Sequence, residues 1–472
     1  MRHTKIISTL GPASDSEAMI DALIAAGTDI FRLNFSHGTH QSHGATLSRV
    51  RAAAHRAGRE VAVLQDLSGP KIRTGALDGG RPLRLNNGDP LRIKTGEFVG
   101  GPGCVSTPFA GLARGVRPGD RLLLSDGLIE LRVEGTDGVD IQTTVVEGGL
   151  LGERKGINAP GVVLPASAIT PKDIDDLKFG RSIGVDMVAV SFVQSAADLR
   201  LARQLLADAD GVDVPLVAKL ERPQALEHLD EILESCDAVM VARGDLGLEM
   251  PLERVPRAQK EIVLAARLRG IPVIVATQVL ESMTHEPRPT RAEVSDAANA
   301  VDAGVDAIML AGETAAGAFP ARTVQTLDAI IRDAESSPAG ELPLALRRSV
   351  EDDDHSRALC AAAVTLAERG DAQAIVAVTR GGTTARWLST LRPRAPIFAA
   401  TNEGVTARRL ALHWGVVPVC LDIGDPVDLS GVAIGSQLVA HGFVESGLAV
   451  VFININLDLT RSDANFLRIQ RL

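Results

Sequence analysis

At 472 residues the chain is too long for a single hydrophobic core, so two or three domains are expected. With 45% hydrophobic and 23% charged residues and a formal net charge of −10, it suits an ordinary globular protein and disfavours nucleic acid as a partner, because a net negative surface repels phosphate backbones; a local basic cleft for a small anion stays compatible. No run of about 18 apolar residues occurs and the start "MRHTKIISTLGPAS" lacks a signal-peptide core, so no membrane is expected as a partner and the expected location is cytoplasmic. The cysteines Cys104, Cys236, Cys360 and Cys420 lie far apart without CxxC spacing, which excludes the usual zinc and redox motifs and predicts reduced, mostly buried thiols.

Short apolar runs alternate with helical stretches from residue 5 onward: "KIISTL" (5 to 10), "DIFRLNF" (29 to 35), "VAVLQD" (61 to 66), "MVAVSFV" (187 to 193), "PLVAKLE" (215 to 221), "AVMVARG" (238 to 244), "PVIVAT" (272 to 277) and "AIMLAG" (307 to 312). Helices are expected between them, as at "SDSEAMIDALIAAG" and at "TRAEVSDAANAVDAG", where Thr290 and Glu293 have capping-box spacing. Near-continuous apolar strands alternating with helices predict a parallel sheet covered on both faces, and eight such units predict a (β/α)8 TIM barrel. The pattern breaks after the third strand. Residues 71–166, rich in Gly and Pro with alternating stretches such as "PLRIKTG" and "IELRVEG", read as an inserted β lid domain. The barrel is thus expected at 1–70 and 167–337, the lid emerging at the C-terminal face where barrel enzymes keep their chemistry. After the acidic "EDDDH" (351 to 355), the runs "AIVAVT", "IFAAT", "VVPVC" and "LAVVFINI" predict a C-terminal α/β open-sheet domain over 338–472.

Catalytic groups of a barrel sit where strands end. Those positions hold Arg32, Asn34 and Ser36 after strand two, Asp66 after strand three, Lys219 and Glu221 around the end of strand five, Asp245 after strand six and Thr277 after strand seven. The strand period of two places Lys219 and Glu221 on one face, about 7 Å apart by rise. Glu221 and Asp245, from adjacent strands, suit one hard divalent cation completed by water and substrate oxygens; a buried lysine–glutamate pair is the plain alternative. In "RGDLGLE" two glycines flank Asp245, so backbone N–H groups there suit a carboxylate or phosphate, although a plain turn explains the motif equally. "TRGGTTAR" in the third domain offers Thr379, Arg380, Gly381, Gly382, Thr383 and Thr384 as a phosphate-binding loop without the GK[ST] of a nucleotide P-loop. His37 alone reads as a surface or core histidine, and the other histidines show no metal-ligand spacing.

"TKIISTLGPAS", "RLNFSHG", "GPKIRTG", "KGINAPG", "VARGDLGLEMP", "ATQVLESM", "PRPTRAEVSDAANAV" and "GETA" together resemble the successive signature segments of the pyruvate kinase family. That resemblance implies phosphoryl transfer from phosphoenolpyruvate to ADP, giving pyruvate and ATP, with Mg²⁺ or Mn²⁺ as cofactor. It implies that Lys219 stabilises the moving phosphoryl group and the enolate oxygen, that Arg32 grips the phosphoryl group, and that Glu221 and Asp245 ligate the metal. The N–H groups of Gly244 and Asp245 with Thr277 would hold the substrate carboxylate, and His37, Arg73 and Lys172 would lie on the nucleotide side. A homotetramer and a sugar-phosphate effector at the Thr379–Thr384 loop are further expectations of the resemblance.

The chain departs from the family pattern in "LQDLSGPKIRTG". Many members carry glutamate where Lys71 stands, and a bound K⁺ held by residues matching Asn34, Ser36, Asp66 and the backbone of the next residue, here Leu67 in place of threonine. The expectation is that the Lys71 ammonium replaces K⁺, since a positive charge 4 Å from phosphate is worth about 4 kcal/mol at an effective dielectric near 20. Ala311 stands where the family has serine before "GETA", leaving water or Thr277 to deliver the enolate proton, and the tail "FININLDLTRSDANFLRIQRL" lacks the glycine-rich loop usual there. Two other readings are a Mg²⁺-dependent carbon–carbon lyase, which needs neither the lid nor Lys219, and a catalytically dead metabolite sensor, which predicts loss of the barrel charges.

Overall fold

In a computed structural model, which describes residues 1–162, 168–207, 213–336, 355–423, 431–456 and 465–472, eight strands close into a barrel. They are β1 (Lys5–Thr9), β2 (Ile30–Asn34), β3 (Ala62–Asp66), β4 (Met187–Val190), β5 (Leu216–Leu220), β6 (Ala238–Ala242), β7 (Val273–Ala276) and β8 (Ala307–Leu310), each paired in parallel with its sequence neighbours and β8 with β1. The two faces of each strand carry separate cores. Ile6, Phe31, Val63, Val188 and Val239 pack outward among the helices, while Ile7, Ile30, Leu64, Val217, Met240 and Ile274 fill the interior. The period of two then decides what stands at the open end: two residues beyond Ile30 comes Arg32, beyond Leu64 comes Asp66, and beyond Val217 comes Lys219. The expected helices form at Glu17–Ala26 and Arg291–Asp302, the latter with a reciprocal capping box between Thr290 and Glu293.

Between β3 and the helix Pro171–Ser182 the chain leaves the barrel to build a six-stranded sheet and a two-stranded sheet, with a core of its own that includes Ile93, Leu122, Leu131 and Ile141. "PLRIKT" becomes the strand Pro90–Thr95 and "IELRVEG" lies in the strand Ile129–Thr136. This unit touches the barrel rim, where Asn158 Nδ2 donates to Glu249 Oε1 at 2.9 Å. The expected lid end, at 163–166, lies outside the described residues.

The third unit is an open sheet of β9 (Ala374–Val378), β10 (Ile397–Thr401), β11 (Val416–Cys420), β12 (Ala449–Asn454) and β13 (Phe466–Arg471), in the order β11-β10-β9-β12-β13 with only β13 antiparallel. The order reverses at β9, so the loop after it occupies the place where such sheets bind ligands. Residues 351–354 of "EDDDH" and 457–464 of the tail lie outside the described residues. This sheet unit docks under the barrel: Ala411 and Leu412 join the interior cluster, and Arg392 pairs with Asp306 at 2.8 Å.

Candidate active site

At the C-terminal rim the interior residues of β2, β3 and β5 converge. Asp66, 1% exposed at its side chain, receives Arg32 Nε and Nη2 on Oδ2, both at 2.6 Å, and faces Lys219 Nζ at 3.3 Å from Oδ1. Lys219 Nζ also lies 2.8 Å from Glu221 Oε1 and donates to Ser191 Oγ at 2.7 Å. Strand rise separates Lys219 from Glu221 by about 7 Å along the backbone; the flexible lysine stem folds back to close that gap. Burial pushes the Lys219 ammonium towards losing its proton, but Asp66 and Glu221 outweigh this and hold its pKa above the ordinary lysine range. Burial alone favours a neutral Asp66, and the Lys219 and Arg32 charges instead hold its carboxyl below the usual range. Glu221 goes the other way. Burial and the neighbouring charges of Asp245 and Asp66 raise it despite Lys219.

The backbone around the mouth is under tension. Phe192, Thr277 and Gln278 have φ of 56°, 68° and 52°, conformations that non-glycine residues adopt at some cost and that recur at functional sites. Phe192 N–H donates to Glu221 Oε2 at 2.7 Å, which fixes the carboxylate from behind. Thr277 Oγ1 accepts from Gly244 N at 2.7 Å, and Arg243 ties the two loops together by donating to the carbonyls of Thr277 and Gln278 at 2.9 and 3.1 Å. Gly69 of "SGPK" has φ 63°, and a Cβ there would stand 2.8 Å from the Phe192 ring and 2.9 Å from Ser191 Cβ. Only glycine lets these two loops approach.

On the neighbouring side, His37 is exposed, and burial together with Arg73, Lys71 and Arg32 holds its imidazole below the ordinary histidine range. Four positively charged or protonatable side chains therefore share one region. Lys172, second residue of its helix, donates to Phe35 O at 2.8 Å and pairs with Asp176 at 2.5 Å. Of the residues expected around a monovalent cation, Asn34 Oδ1 accepts from Ser36 N at 3.0 Å, Ser36 Oγ reaches Ser68 Oγ at 3.3 Å, and the Leu67 carbonyl accepts from Ser191 Oγ at 2.8 Å. Lys71 is exposed and forms no ion pair among the described residues. It lines a cleft between rim and lid, shared with Asn158, Phe192, Arg222, Asp245 and Glu249.

The strand-end survey passed over the end of β4. Ser191 of "VSFV" stands there two residues beyond the interior Ala189, in the same phase as Arg32, Asp66 and Lys219, so the signal was present. Arg222, 8% exposed and 5.2 Å from the Phe192 ring centroid, was also missed; it directly follows Glu221 and lines the same cleft as Asn158 of the lid. Ala311 has no side-chain proton to offer, and its N–H is bound by Glu313 at 2.7 Å. The Thr379–Thr384 loop belongs to another sheet altogether. Thr379 Oγ1 accepts from Gly382 N at 2.9 Å, Gly382 adopts φ 84°, a Cβ at Gly381 would meet nothing within 4 Å, and the helix Thr383–Thr390 begins there.

A closed parallel barrel with a lysine held between carboxylates at its rim, an arginine beside it and a β lid above defines an enzyme that handles small anions. The comparisons are specific. The family model "Pyruvate kinase, barrel domain" matches residues 1–324 and "Pyruvate kinase, alpha/beta domain" matches 357–470. Pyruvate kinase of Agrobacterium vitis is 42% identical over 99% of this chain and 98% of its own length, and that of Mycobacterium tuberculosis is 44% identical over 88% and 86%. The chain belongs to the pyruvate kinase family. It is a phosphotransferase that moves the phosphoryl group of phosphoenolpyruvate to ADP, giving pyruvate and ATP, and its family membership carries dependence on a divalent metal.

The mouth fits such an ion. Among the described residues no three or more His, Cys, Asp or Glu side chains gather into a complete cage. Burial and the charges of Asp245 and Asp66 raise Glu221, so a cation brought beside these carboxylates would relieve their like-charge repulsion. A hard ion that takes its other ligands from water and substrate oxygens suits that donor set.

Proposed function

We propose that the reaction runs at this mouth with Mg²⁺ or Mn²⁺ held by Glu221 and Asp245, and without a requirement for K⁺. The observation that carries the reading is the clamp at the rim, Lys219 2.8 Å from Glu221 and 3.3 Å from Asp66, with Arg32 on the same aspartate. Bound there, the divalent ion supplies Lewis-acid stabilisation of phosphoryl and enolate oxygens. Arg32 grips the phosphoryl group, and Lys219, kept protonated by its carboxylates, places a fixed positive charge where negative charge develops. Thr277 with the N–H groups of Gly244 and Asp245 holds the substrate carboxylate, and His37, Arg73 and Lys172 face the nucleotide. The proton reaches the enolate from Thr277 or water, given Ala311.

Lys71 faces the same cavity as Asp245, which supports its ammonium as the substitute for a monovalent cation. The barrel, lid and open-sheet units are assigned to 1–70 with 167–337, 71–166 and 338–472, and the chain to a cytoplasmic homotetramer with a sugar-phosphate effector at Thr379–Thr384. No helix among the described residues is long and apolar enough to cross a membrane. A pyruvate-coupled assay with phosphoenolpyruvate and ADP tests the reading: activity is expected to vanish on chelating the divalent ion and to stay level when a bulky organic cation is exchanged for K⁺. A many-fold rise with K⁺ refutes the role given to Lys71.

A further inference from the structure

Lys219 Nζ donates to Ser191 Oγ at 2.7 Å and lies beside two carboxylates, 2.8 Å from Glu221 Oε1 and 3.3 Å from Asp66 Oδ1. The two carboxylates have other duties. Asp66 carries Arg32, and Glu221 must turn a lone pair to the divalent ion in the reading proposed above. Ser191 is different in kind. It is neutral, 2% exposed, and its own proton is committed to the Leu67 carbonyl at 2.8 Å, so its lone pairs are left facing the ammonium.

We propose that Ser191 is a positioning residue for Lys219, a preoriented neutral acceptor that would hold the ammonium in the barrel mouth if Glu221 were engaged by a divalent ion. The chain Lys219 Nζ to Ser191 Oγ to Leu67 O ties the ends of β5, β4 and β3 together, and Gly69 supplies the room for it by lacking the Cβ that would collide with Ser191. Without the hydroxyl, the ammonium follows whichever carboxylate is nearest, and its distance from the developing charge is no longer set. Errors of that size are costly, because catalysis of this kind rests on positioning and on charges already in place.

The inference rests on the catalytic role assigned to Lys219, and the test separates the two. Ser191→Ala, Ser191→Thr and Lys219→Met are compared in the full chain with phosphoenolpyruvate, ADP and Mg²⁺, recording kcat, KM and the melting temperature. Loss of one hydrogen bond to a charged group predicts a fall in kcat of roughly tenfold or more in Ser191→Ala. KM for phosphoenolpyruvate is expected to stay within about twofold of the parent. Ser191→Thr, which keeps the hydroxyl, is expected to recover most of the rate. A parent-like kcat in Ser191→Ala, with Lys219→Met inactive, overturns the positioning role and leaves that of Lys219 standing. A slow Ser191→Ala that also melts early and is not rescued by threonine overturns it in favour of a structural part. A fully active Lys219→Met removes the reading beneath.

Discussion

The barrel holds a buried lysine at each end, and the two are driven in opposite directions. At the N-terminal floor Lys5, 4% exposed, donates to the Val416 carbonyl at 2.5 Å; burial brings its pKa down to about 8, and Arg2 and Arg59 help while Asp29 opposes. At the C-terminal mouth Lys219 suffers the same desolvation, yet Asp66 and Glu221 more than reverse it. A neutral carbonyl satisfies a donor without holding a charge, whereas carboxylates within 3.3 Å hold the proton firmly. The floor is also closed, with Ala411 and Leu412 filling it and Arg392 and Arg408 paired to Asp306 and Asp186. The mouth keeps its charge beside a cavity and its strained residues, Phe192 and Thr277, beside that charge. Binding a charged substrate needs charges fixed in place by their surroundings rather than cancelled, and only one end of this barrel meets that condition.

Breaking the mouth side has the largest expected effect. Lys219→Met removes the fixed charge and is expected to lower kcat by roughly 10²- to 10³-fold, with the melting temperature little changed; pyruvate formation measures it. Glu221→Gln takes one carboxylate from the metal, and binding of Mn²⁺ followed by electron paramagnetic resonance is expected to weaken by roughly 10- to 100-fold whether or not substrate is present. The next contrast concerns the rim cation. Lys71→Glu is expected to create a need for K⁺, with activity at saturating Mg²⁺ rising about tenfold or more on replacing a bulky organic cation with K⁺, while the parent stays level.

The floor gives the smallest effect and a sign of its own. Because folding lowers the pKa of Lys5 from 10.5 to about 8, the unfolded chain binds more protons between those values, so stability rises with pH across that window. The charged lysine costs up to about 3 kcal/mol at pH 7. Lys5→Met is therefore expected to raise the melting temperature at neutral pH, less the loss of the Val416 hydrogen bond. That gain shrinks as pH climbs from 8 towards 10.5. A gain that grows with pH contradicts the assigned protonation.

Much of the fold was legible because strand and helix periods are local. Each of the eight apolar runs became a barrel strand, and Thr290 with Glu293 formed the capping box their spacing announced. The residue types at the mouth were legible for the same reason, since the period of two carries Ile30 to Arg32 and Val217 to Lys219. Ser191 was equally visible and passed over. Arg222 was not, because its place over the Phe192 ring joins the ends of two strands that only barrel closure brings together.

By itself the sequence determined which side chains each strand end presents, where glycine must stand, and to which family the motifs point, because these depend on neighbours a few residues away. Tertiary structure alone decided that Asp66 meets Lys219 across more than a hundred residues, that Lys172 is already engaged by Asp176, and that one buried lysine holds its proton more firmly than a free lysine while the other holds it less firmly. The reason is electrostatic: the energy of a charge in a desolvated interior is set by the partners within a few ångströms, and closing the barrel chooses those partners.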